Sequence, residues 1–331
     1  MSLLEVHRLG ASFEAAGQTR TILREVSFAV DEGEALGLVG ESGSGKSMTL
    51  RSIIGLLPTP VSTKGEIKFD GIALGDRTAR SSRRRLAMNV AMVHQDPRAA
   101  LNPLRTIGDS LCEGLVYGQD IKRSVAAQRA VQLLGDVGIS QPARRMRQRP
   151  HELSGGMLQR VMIAAALIGE PRLLLADEPT TALDVTTQEE VMAILNEQRQ
   201  DRGLALVFVT HDLDLAAAVC DRVAVMNAGA IVEDISAARL HERARHPYTR
   251  GLLTARPTKH TEPGSRLQVV PGRPSSAHEA GSGCTFASRC SSVMDQCRSE
   301  RPSLRRDSAG SVACHRVAVD PQGPREEAGH A

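Results

Sequence analysis

Apolar residues fall in short runs that alternate with stretches of helical periodicity over most of this chain. A helical pattern covers Lys46 to Leu57, and from about Thr106 to Leu167 the pattern is helical with no convincing strand. Runs typical of strands cover residues 22–30, 35–39, 66–69, 89–94, 173–176, 204–210 and 222–226. Strands that alternate with helices predict an α/β core, and the long helical stretch predicts a helical subdomain inserted into that core.

The composition changes after Arg256, where Pro, Gly, Ser and His become frequent. Because these residues break regular structure, 256–283 is predicted to be a linker or irregular extension, and a segment with four cysteines follows it. From Asp320 onward the composition predicts disorder. We therefore expect a large domain at residues 1–255, with the helical subdomain at about 96–168, and a C-terminal extension at residues 256–331.

Charge and hydropathy narrow the class of protein. The 41 basic and 38 acidic residues leave a net charge of +3, which does not demand a nucleic-acid partner. The basic run Arg83–Arg85 is expected in a solvated turn. No run reaches the roughly 18 apolar residues that a membrane span needs, and the first residues lack the pattern of a signal peptide. These features predict a cytoplasmic protein that reaches a membrane only through a partner.

A glycine-rich segment after the predicted strand 35–39 matches the phosphate-binding pattern G-x-x-x-x-G-K-[ST], and a predicted helix follows it. Its glycines let backbone N–H groups turn toward phosphate oxygens at a positive helix end. Lys46 is expected to reach the β- and γ-phosphates and the Ser47 hydroxyl to ligate Mg²⁺. The motif alone indicates a P-loop NTPase, whether transporter, GTPase, kinase or helicase. The predicted nucleotide-contacting residues here are Gly40, Glu41, Ser42, Gly43, Ser44, Gly45, Lys46, Ser47 and Met48.

Two adjacent carboxylates end the apolar run 173–176. Adjacent residues at a strand end project differently, so one carboxylate can face a metal while the next faces a water molecule. Asp177 is therefore predicted to hold Mg²⁺, directly or through water, and Glu178 to be the general base that polarises the attacking water.

A second phosphate site is predicted at Leu153–Arg160, which reads LSGGMLQR. Ser154, Gly155 and Gly156 open an apolar helix, where a hydroxyl and unobstructed N–H groups lie at a positive helix end. Since one chain then has two binding sites for the same γ-phosphate, we expect a head-to-tail dimer in which each Ser154 loop closes over the partner's ATP.

At this point the chain resembles the ABC ATPase family over roughly Ser2 to Ala255, because LSGGMLQR resembles that family's signature loop. The resemblance implies a RecA-like P-loop core with an N-terminal antiparallel β-subdomain and an inserted helical subdomain. It also implies roles for four further residues. Gln95 resembles the Q-loop glutamine that senses Mg²⁺ and the attacking water, and Asp184, in Ala182-Leu183-Asp184, resembles the dimer-contacting D-loop. His211 resembles the switch histidine at the γ-phosphate, and Phe13 takes the place of the aromatic residue that stacks on adenine.

Further features resemble the ATPases of oligopeptide and dipeptide importers. They are Leu101-Asn102-Pro103 after Gln95-Asp96-Pro97, the run His246–Arg250, and the cysteines Cys284, Cys290, Cys297 and Cys314. Disulfides are disfavoured in a cytoplasmic protein, whereas four thiolates can hold Zn²⁺ or a [4Fe-4S] cluster. The residues leave zinc, a cluster and free thiols open, and the resemblance favours a structural or redox-sensing cluster. Cys112 and Cys220 are expected to be ordinary buried thiols.

The resemblance implies a cycle in which two ATP molecules bind between two subunits. Lys46 and Ser47 of one subunit and Ser154 and Gly156 of the other hold each ATP, and Glu178 and His211 carry out hydrolysis. The implied partners are a second ATPase subunit, identical or paralogous, two transmembrane permeases that contact residues 95–103, and indirectly an extracytoplasmic substrate-binding protein. The chain would then lie on the cytoplasmic face of the cell membrane.

Three alternatives stay open at the level of sequence. The first is a non-transport ABC ATPase acting in DNA repair or on ribosomes, although the chain has neither a long coiled-coil insertion nor a second cassette. The second is a GTPase-type switch, although no N-K-x-D motif follows the predicted strand 173–176. The third concerns cargo, since nickel, glutathione or antimicrobial peptides could replace nutrient peptides.

Overall fold

The structure, a computed structural model, describes residues 2–15, 17–75, 79–180, 184–255 and 269–318. The chain forms two compact units. The first unit comprises residues 1–3, 30–35 and 74–209, and the second unit comprises residues 4–29, 36–73 and 210–331. Within the described ranges, no helix is long and apolar enough to cross a membrane.

The strands are numbered in chain order. They are β1 (Ser2–Ala15), β2 (Gln18–Asp31), β3 (Ala35–Val39), β4 (Ser62–Phe69), β5 (Ile72–Ala73), β6 (Val90–Val93), β7 (Leu173–Asp177), β8 (Ala205–Thr210), β9 (Arg222–Asn227), β10 (Ala230–Ser236), β11 (Arg305–Asp307) and β12 (Gly310–Val312).

The α-helices follow the same order. They are α1 (Lys46–Ile54), α2 (Arg80–Asn89), α3 (Pro97–Ala100), α4 (Ile107–Glu113), α5 (Arg123–Asp136), α6 (Pro142–Arg145), α7 (Gly155–Leu167), α8 (Val185–Arg202), α9 (Leu213–Val219), α10 (Leu240–Arg243), α11 (Pro247–Thr254) and α12 (Asp295–Ser299). A π-helical turn, Gly114–Gly118, follows α4, and short 3₁₀ turns occur at Pro150–Glu152, Ala237–Arg239 and Ala287–Arg289.

The first unit is built on parallel strands with a helical segment between two of them. β7 pairs with β6 on one side and β8 on the other, with Leu173 opposite both Val90 and Ala205. All five residues of β7 are buried, as expected for a parallel strand covered on both faces. Helices α3 to α7 lie between β6 and β7 in the chain, and α7 packs against α3, α4, α5 and α8. The predicted α/β core with an inserted helical subdomain is confirmed.

The second unit contains two sheets. In one, β1 lies between β2 and β4, and β4 pairs antiparallel with β1 and β5. In the other, β3 is parallel to β9, while β9, β10, β12 and β11 follow one another in antiparallel pairs. The β11–β12 hairpin belongs to the C-terminal extension, so this extension adds strands to a sheet that carries β3.

Several predicted bounds differ from the structure. The first helix ends at Ile54 and not at Leu57, because Gly55 adopts a left-handed conformation with φ 70° and its N–H returns to the helix. Arg83–Arg85 are exposed as expected, but they lie on α2 and not in a turn. Residues 269–283 lack helix and strand, in agreement with an irregular extension, whereas 256–268 and the predicted disordered tail from Asp320 lie outside the described residues.

Candidate active site

The predicted phosphate-binding loop, which begins at Gly40, lies between β3 and α1 in the second unit. Gly43 and Gly45 have φ angles of 79° and 105°, a region that glycine adopts without steric cost. Gly40 is required for a different reason, since a Cβ there would overlap the Met226 carbonyl oxygen. A Cβ added at Gly43 would have no atom of the described residues within 4 Å, so this side of the loop is open in the described part of the chain. The loop therefore combines an open face with a backbone that only glycines allow.

Lys46 lies at the first position of α1 and is 5% exposed. Its ammonium group donates to the carbonyl oxygens of Gly40 and Glu41 at 2.7 and 3.0 Å, which folds the lysine back over its own loop. The Ser44 hydroxyl is buried and has no hydrogen-bond partner among the described residues. A buried ammonium group and an unsatisfied hydroxyl at a helix N-terminus are groups that phosphate oxygens would satisfy, so the loop fits a nucleotide.

The other predicted residues of the second unit are more exposed. Ser47 and Met48 are half-buried on α1, and Phe13 is half-buried near the end of β1. His211 is exposed immediately after Thr210. The next residue, Asp212, begins α9 because its carboxylate accepts from the backbone of Asp214 and Leu215 at 2.8 and 3.1 Å.

The carboxylates of the first unit lie at the end of β7 as predicted. Asp177 is the last residue of β7 and is 5% exposed. Glu178 has a φ of 45°, an uncommon conformation for a residue with a side chain, and its N–H donates to the Val209 carbonyl at 3.0 Å. Its carboxylate accepts from the side-chain amide of Gln95 at 3.4 Å. The structure thus brings together Gln95 and Glu178, which are 83 positions apart.

The signature segment begins α7. Ser154 caps this helix through its hydroxyl, which accepts from the Met157 N–H at 3.3 Å. Ser154 and Gly155 are exposed, and within the described ranges a Cβ on Gly155 would have no neighbour within 4 Å. A Cβ on Gly156, in contrast, would lie 2.8 Å from the Thr187 side chain. The prediction that Ser-Gly-Gly opens a helix with an accessible N-terminus is confirmed.

Asp184 begins α8 in a similar way. Its carboxylate accepts from the backbone and the hydroxyl of Thr187 at 3.0 and 2.8 Å. These hydrogen bonds, the backbone one above all, hold the pKa of Asp184 below its usual range. Ala182 and Leu183, the other residues of the predicted D-loop, lie outside the described residues.

The sequence analysis missed two side chains that contact the phosphate-binding loop. Arg289 forms an ion pair with Glu41, and the Tyr248 hydroxyl accepts from the Glu41 N–H at 3.0 Å. Tyr248 lies in the run His246–Arg250, which sequence analysis used only as a sign of family. That run was therefore the sequence signal from which the Tyr248 contact could have been predicted. No sequence signal pointed to the Arg289 contact.

The four clustered cysteines interact with one another in the second unit. The Cys284 N–H donates to the Cys297 carbonyl at 2.8 Å, and the thiols of Cys290, Cys297 and Cys314 lie within electrostatic range of the Cys284 thiol. Burial raises the pKa of Cys284 to about 11 and also raises the pKa of Cys290.

Four cysteine thiolates are the donor set of a [4Fe-4S] cluster. Within the described ranges, however, no three His, Cys, Asp or Glu side chains converge as ligands of a single metal ion. The predictions of bound metal, whether zinc or iron–sulfur, are therefore not supported by this geometry. Cys112 and Cys220 are buried, as expected.

Comparison with known proteins gives two family matches. Residues 23–181 match the ABC transporter family, and residues 232–297 match the C-terminal region of oligopeptide/dipeptide transporters. A dimeric ATP-binding cassette in a post-hydrolysis state, bound to ADP and Pi, has a TM-score of 0.63 and 28% identity and covers 71% of this chain and 98% of its own.

Several relatives match nearly the whole length of the chain. A probable peptide ABC transporter ATP-binding protein of Sinorhizobium fredii is 42% identical over 95% of both chains. The dipeptide transport ATP-binding protein DppD of Escherichia coli is 40% identical over 95% of this chain and 97% of its own. The oligopeptide transport ATP-binding protein OppD of Mycobacterium tuberculosis is 42% identical over 91% of this chain, which spans only 50% of that protein. The chain therefore belongs to the ABC transporter family and is similar to ATP-binding proteins of oligopeptide and dipeptide transport.

Proposed function

We propose that this chain is the ATP-hydrolysing subunit of an ABC importer that takes up oligopeptides or dipeptides. The observation that carries the proposal is the phosphate-binding loop, with its open face, buried Lys46 and unsatisfied Ser44 hydroxyl, in a chain whose relatives are named as peptide transport proteins. Those names favour peptides over nickel or glutathione as cargo. They also favour transport over DNA repair or a GTPase-type switch.

In the proposed site, the loop from Gly40 to Met48 binds the phosphates of ATP. Its N–H groups and the positive end of α1 attract the phosphate oxygens, and Lys46 exchanges its carbonyl partners for the β- and γ-phosphates. Ser47 and Asp177 hold the Mg²⁺ that accompanies ATP, and Phe13 stacks on the adenine. The oxygen atoms of Ser47 and Asp177 are the ligands that Mg²⁺ prefers. The aromatic ring of Phe13 suits stacking on a planar base.

Hydrolysis is assigned to Glu178, assisted by Gln95 and His211. Glu178 is the general base: its carboxylate orients a water molecule for in-line attack on the γ-phosphorus and accepts the water's proton. The Gln95 amide is close enough to the Glu178 carboxylate to orient it. His211 contacts the γ-phosphate and stabilises the negative charge that increases there.

The proposed active form is a dimer in which the Ser154 loop of one subunit closes over the ATP bound by the other. The exposed N-terminus of α7 supports this role, because Ser154 and Gly155 are exposed and a Cβ on Gly155 would have no neighbour within 4 Å among the described residues. The related cassette bound to ADP and Pi was also solved as a dimer. Asp184 contacts the partner subunit in this arrangement.

The proposed membrane partners are two permease subunits, which place this chain at the cytoplasmic face of the membrane. The region from Gln95 to Pro103 receives a helix of the permease. Leu104, which follows this region, is a leucine with 82% of its surface exposed, as a docking surface for an apolar partner helix requires. An extracytoplasmic binding protein would select the peptide.

The substitution Glu178→Gln tests the proposed mechanism. It should allow ATP binding but block hydrolysis, lowering the turnover number about 1,000-fold, because the amide cannot accept the proton of the attacking water. Size-exclusion chromatography with ATP should then show a stable dimer. Adding Ser154→Ala to this variant should reduce the dimer fraction.

Glu197→Gln is the matched control, since Glu197 is exposed on α8 and the proposal gives it no role. This control should hydrolyse ATP at the normal rate. Normal turnover by the Glu178→Gln protein would show that Glu178 is not the general base. A single subunit that hydrolyses ATP at full rate without Ser154 would remove the dimer model.

We also propose that Cys284, Cys290, Cys297 and Cys314 hold a [4Fe-4S] cluster with a structural or redox-sensing role. The proposal rests on the four cysteines of one segment and on the resemblance to the ATPases of peptide importers, and not on the geometry of the described residues. Protein purified without oxygen should absorb visible light and contain about four iron and four sulfide ions per chain. Zinc in place of iron, or four thiols that all react with an alkylating reagent, would contradict the cluster.

A further inference from the structure

A buried ion pair joins the phosphate-binding loop to the C-terminal extension. The guanidinium nitrogens Nη1 and Nη2 of Arg289 donate to the two carboxylate oxygens of Glu41 at 2.6 and 2.9 Å. The Arg289 side chain is 4% exposed and the Glu41 side chain 22%. Glu41 is the second residue of the loop, 248 positions before Arg289. This two-point geometry is the strongest form of an arginine–carboxylate contact.

Arg289 is held in place from other sides. Its Nε donates to the Pro271 carbonyl at 2.7 Å, and its guanidinium carbon lies 5.7 Å from the centroid of the Phe286 ring. Its backbone N–H donates to the Phe286 carbonyl at 3.0 Å, within the short turn Ala287–Arg289. Because the guanidinium is fixed before it meets Glu41, little side-chain entropy is lost when the pair forms.

Tyr248 contacts the same loop residue through the backbone. It is fully buried on α11, and its hydroxyl accepts from the Glu41 N–H at 3.0 Å. The Nδ1 atom of His246 accepts from the Tyr248 N–H at 3.1 Å, which caps α11 and orients the tyrosine. The centroids of the Tyr248 and Phe286 rings lie 5.2 Å apart. Phe286 therefore packs against both of the side chains that contact Glu41, Tyr248 and Arg289.

Glu41 thus has a partner for each of its polar groups. Its N–H donates to Tyr248, its carbonyl accepts from Lys46 at 3.0 Å, and its carboxylate pairs with Arg289. A free carboxylate in this loop would repel the negative phosphates of a nucleotide, and the guanidinium of Arg289 offsets that charge. A loop whose shape is set before the nucleotide arrives also loses less entropy on binding.

We propose that Arg289 and Tyr248 are positioning residues of the phosphate-binding loop, so that the C-terminal extension forms part of the ATP site. The inference rests on the proposed function of that loop. It gives the run His246–Arg250 a physical role: the run places the Tyr248 hydroxyl against the loop.

The experiment measures binding of a fluorescent ATP analogue to the full chain, together with KM and kcat of ATP hydrolysis. Arg289→Met should raise the Kd and the KM about tenfold, because the Glu41 carboxylate is left unpaired near the phosphates. Tyr248→Phe should raise both about threefold, since the Glu41 N–H loses one acceptor. In both variants kcat should stay within about twofold of the normal value, because the reacting groups are unchanged. Arg289→Lys, which keeps the charge but not the two-point contact, should recover part of the loss.

Arg273→Met is the matched control. Arg273 is an arginine of the same extension, pairs with Glu279 and is 82% exposed, so its loss should leave the Kd unchanged. Thermal unfolding of each variant separates loop positioning from loss of fold. If Arg289→Met does not fold, Tyr248→Phe decides, because it removes a single oxygen atom.

Lys46→Ala separates this inference from the proposed function. If Lys46→Ala binds the analogue normally, the loop is not the phosphate site and the proposed function fails. If Lys46→Ala loses binding while folded Arg289→Met and Tyr248→Phe bind with the normal Kd, the positioning role is overturned and the proposed function stands.

Discussion

At the scale of single residues, His246 shows how burial changes the role of a side chain. Its ring is 1% exposed, and burial lowers its pKa to about 4 from an ordinary value of 6.5. The neutral ring is the form that accepts the Tyr248 N–H. Nothing in the sequence around His246 predicts this, because desolvation depends on the residues that cover the ring, among them Phe286 at a centroid distance of 6.0 Å.

This pKa predicts a pH dependence of stability. Between about pH 6.5 and pH 4 the unfolded chain binds a proton at His246 that the folded chain does not bind, so acid favours unfolding in this range. The contribution is fully present above pH 6.5 and is lost as the pH falls toward 4, up to about 3 kcal/mol in total.

His246→Asn keeps an acceptor for the Tyr248 N–H, but the asparagine side chain does not titrate. Between pH 6.5 and pH 4 the free energy of unfolding of this variant should therefore fall less than that of the unmodified protein. Urea unfolding at several pH values, followed by circular dichroism because the chain has no Trp, measures the difference. Equal slopes for the two proteins would contradict the buried neutral histidine. Glu233, whose carboxylate accepts the His246 backbone N–H at 3.1 Å, is present in both proteins and its titration therefore cancels.

At the scale of elements, local chemistry predicted some boundaries and missed others. The loop between β3 and α1 was predicted because its motif is contiguous. β1 was missed as a strand because its burial pattern is irregular: Leu3 and Leu4 are both buried, and the register shifts between His7 and Gly10. A bulge of this kind breaks the period of two by which a half-buried strand is recognised.

A glycine pair tests how tightly the phosphate-binding loop is packed. Gly40→Ala should destabilise the chain by about 2 kcal/mol or more, because the added Cβ would overlap the Met226 carbonyl oxygen. Gly114→Ala should be neutral or stabilise by about 0.5 kcal/mol, since Gly114 has helical angles and a Cβ added there would meet no atom within 4 Å in the part of the chain that the structure describes. Thermal denaturation compares the two, and equal melting temperatures would show that the loop can move away from Met226.

At the scale of the whole molecule, the C-terminal extension contributes to the second unit through buried contacts. β12 pairs with β10, and the Ala313 N–H donates to the Val232 carbonyl at 2.9 Å. Arg24 donates to carbonyl groups of the extension, including that of Ala277 at 2.7 Å. The extension was predicted from its composition, but these pairings were not, because each joins residues far apart in the chain.

These contacts predict that β12 and β10 unfold together. Val312 is fully buried, so Val312→Ala should destabilise the second unit by about 2 kcal/mol. Amide hydrogen exchange should then become about 30-fold faster, and this factor should be the same in β12 and in β10. Val269→Ala is the control, because Val269 is 75% exposed and should not change the exchange. Faster exchange in β12 alone would mean that the extension opens independently.

The sequence by itself determined the features whose chemistry is contiguous in the chain. Lys46 follows its glycines, Asp177 and Glu178 end an apolar strand, and Ser154 begins a helix, and for each the neighbouring residues carry the physical reason. Only the tertiary structure decided that Arg289 and Tyr248 hold Glu41 and that His246 is buried in its neutral form. The two contacts with Glu41 join residues 207 and 248 positions apart, and His246 is covered by residues outside its own segment, such as Phe286. No local pattern of polar and apolar residues encodes such contacts.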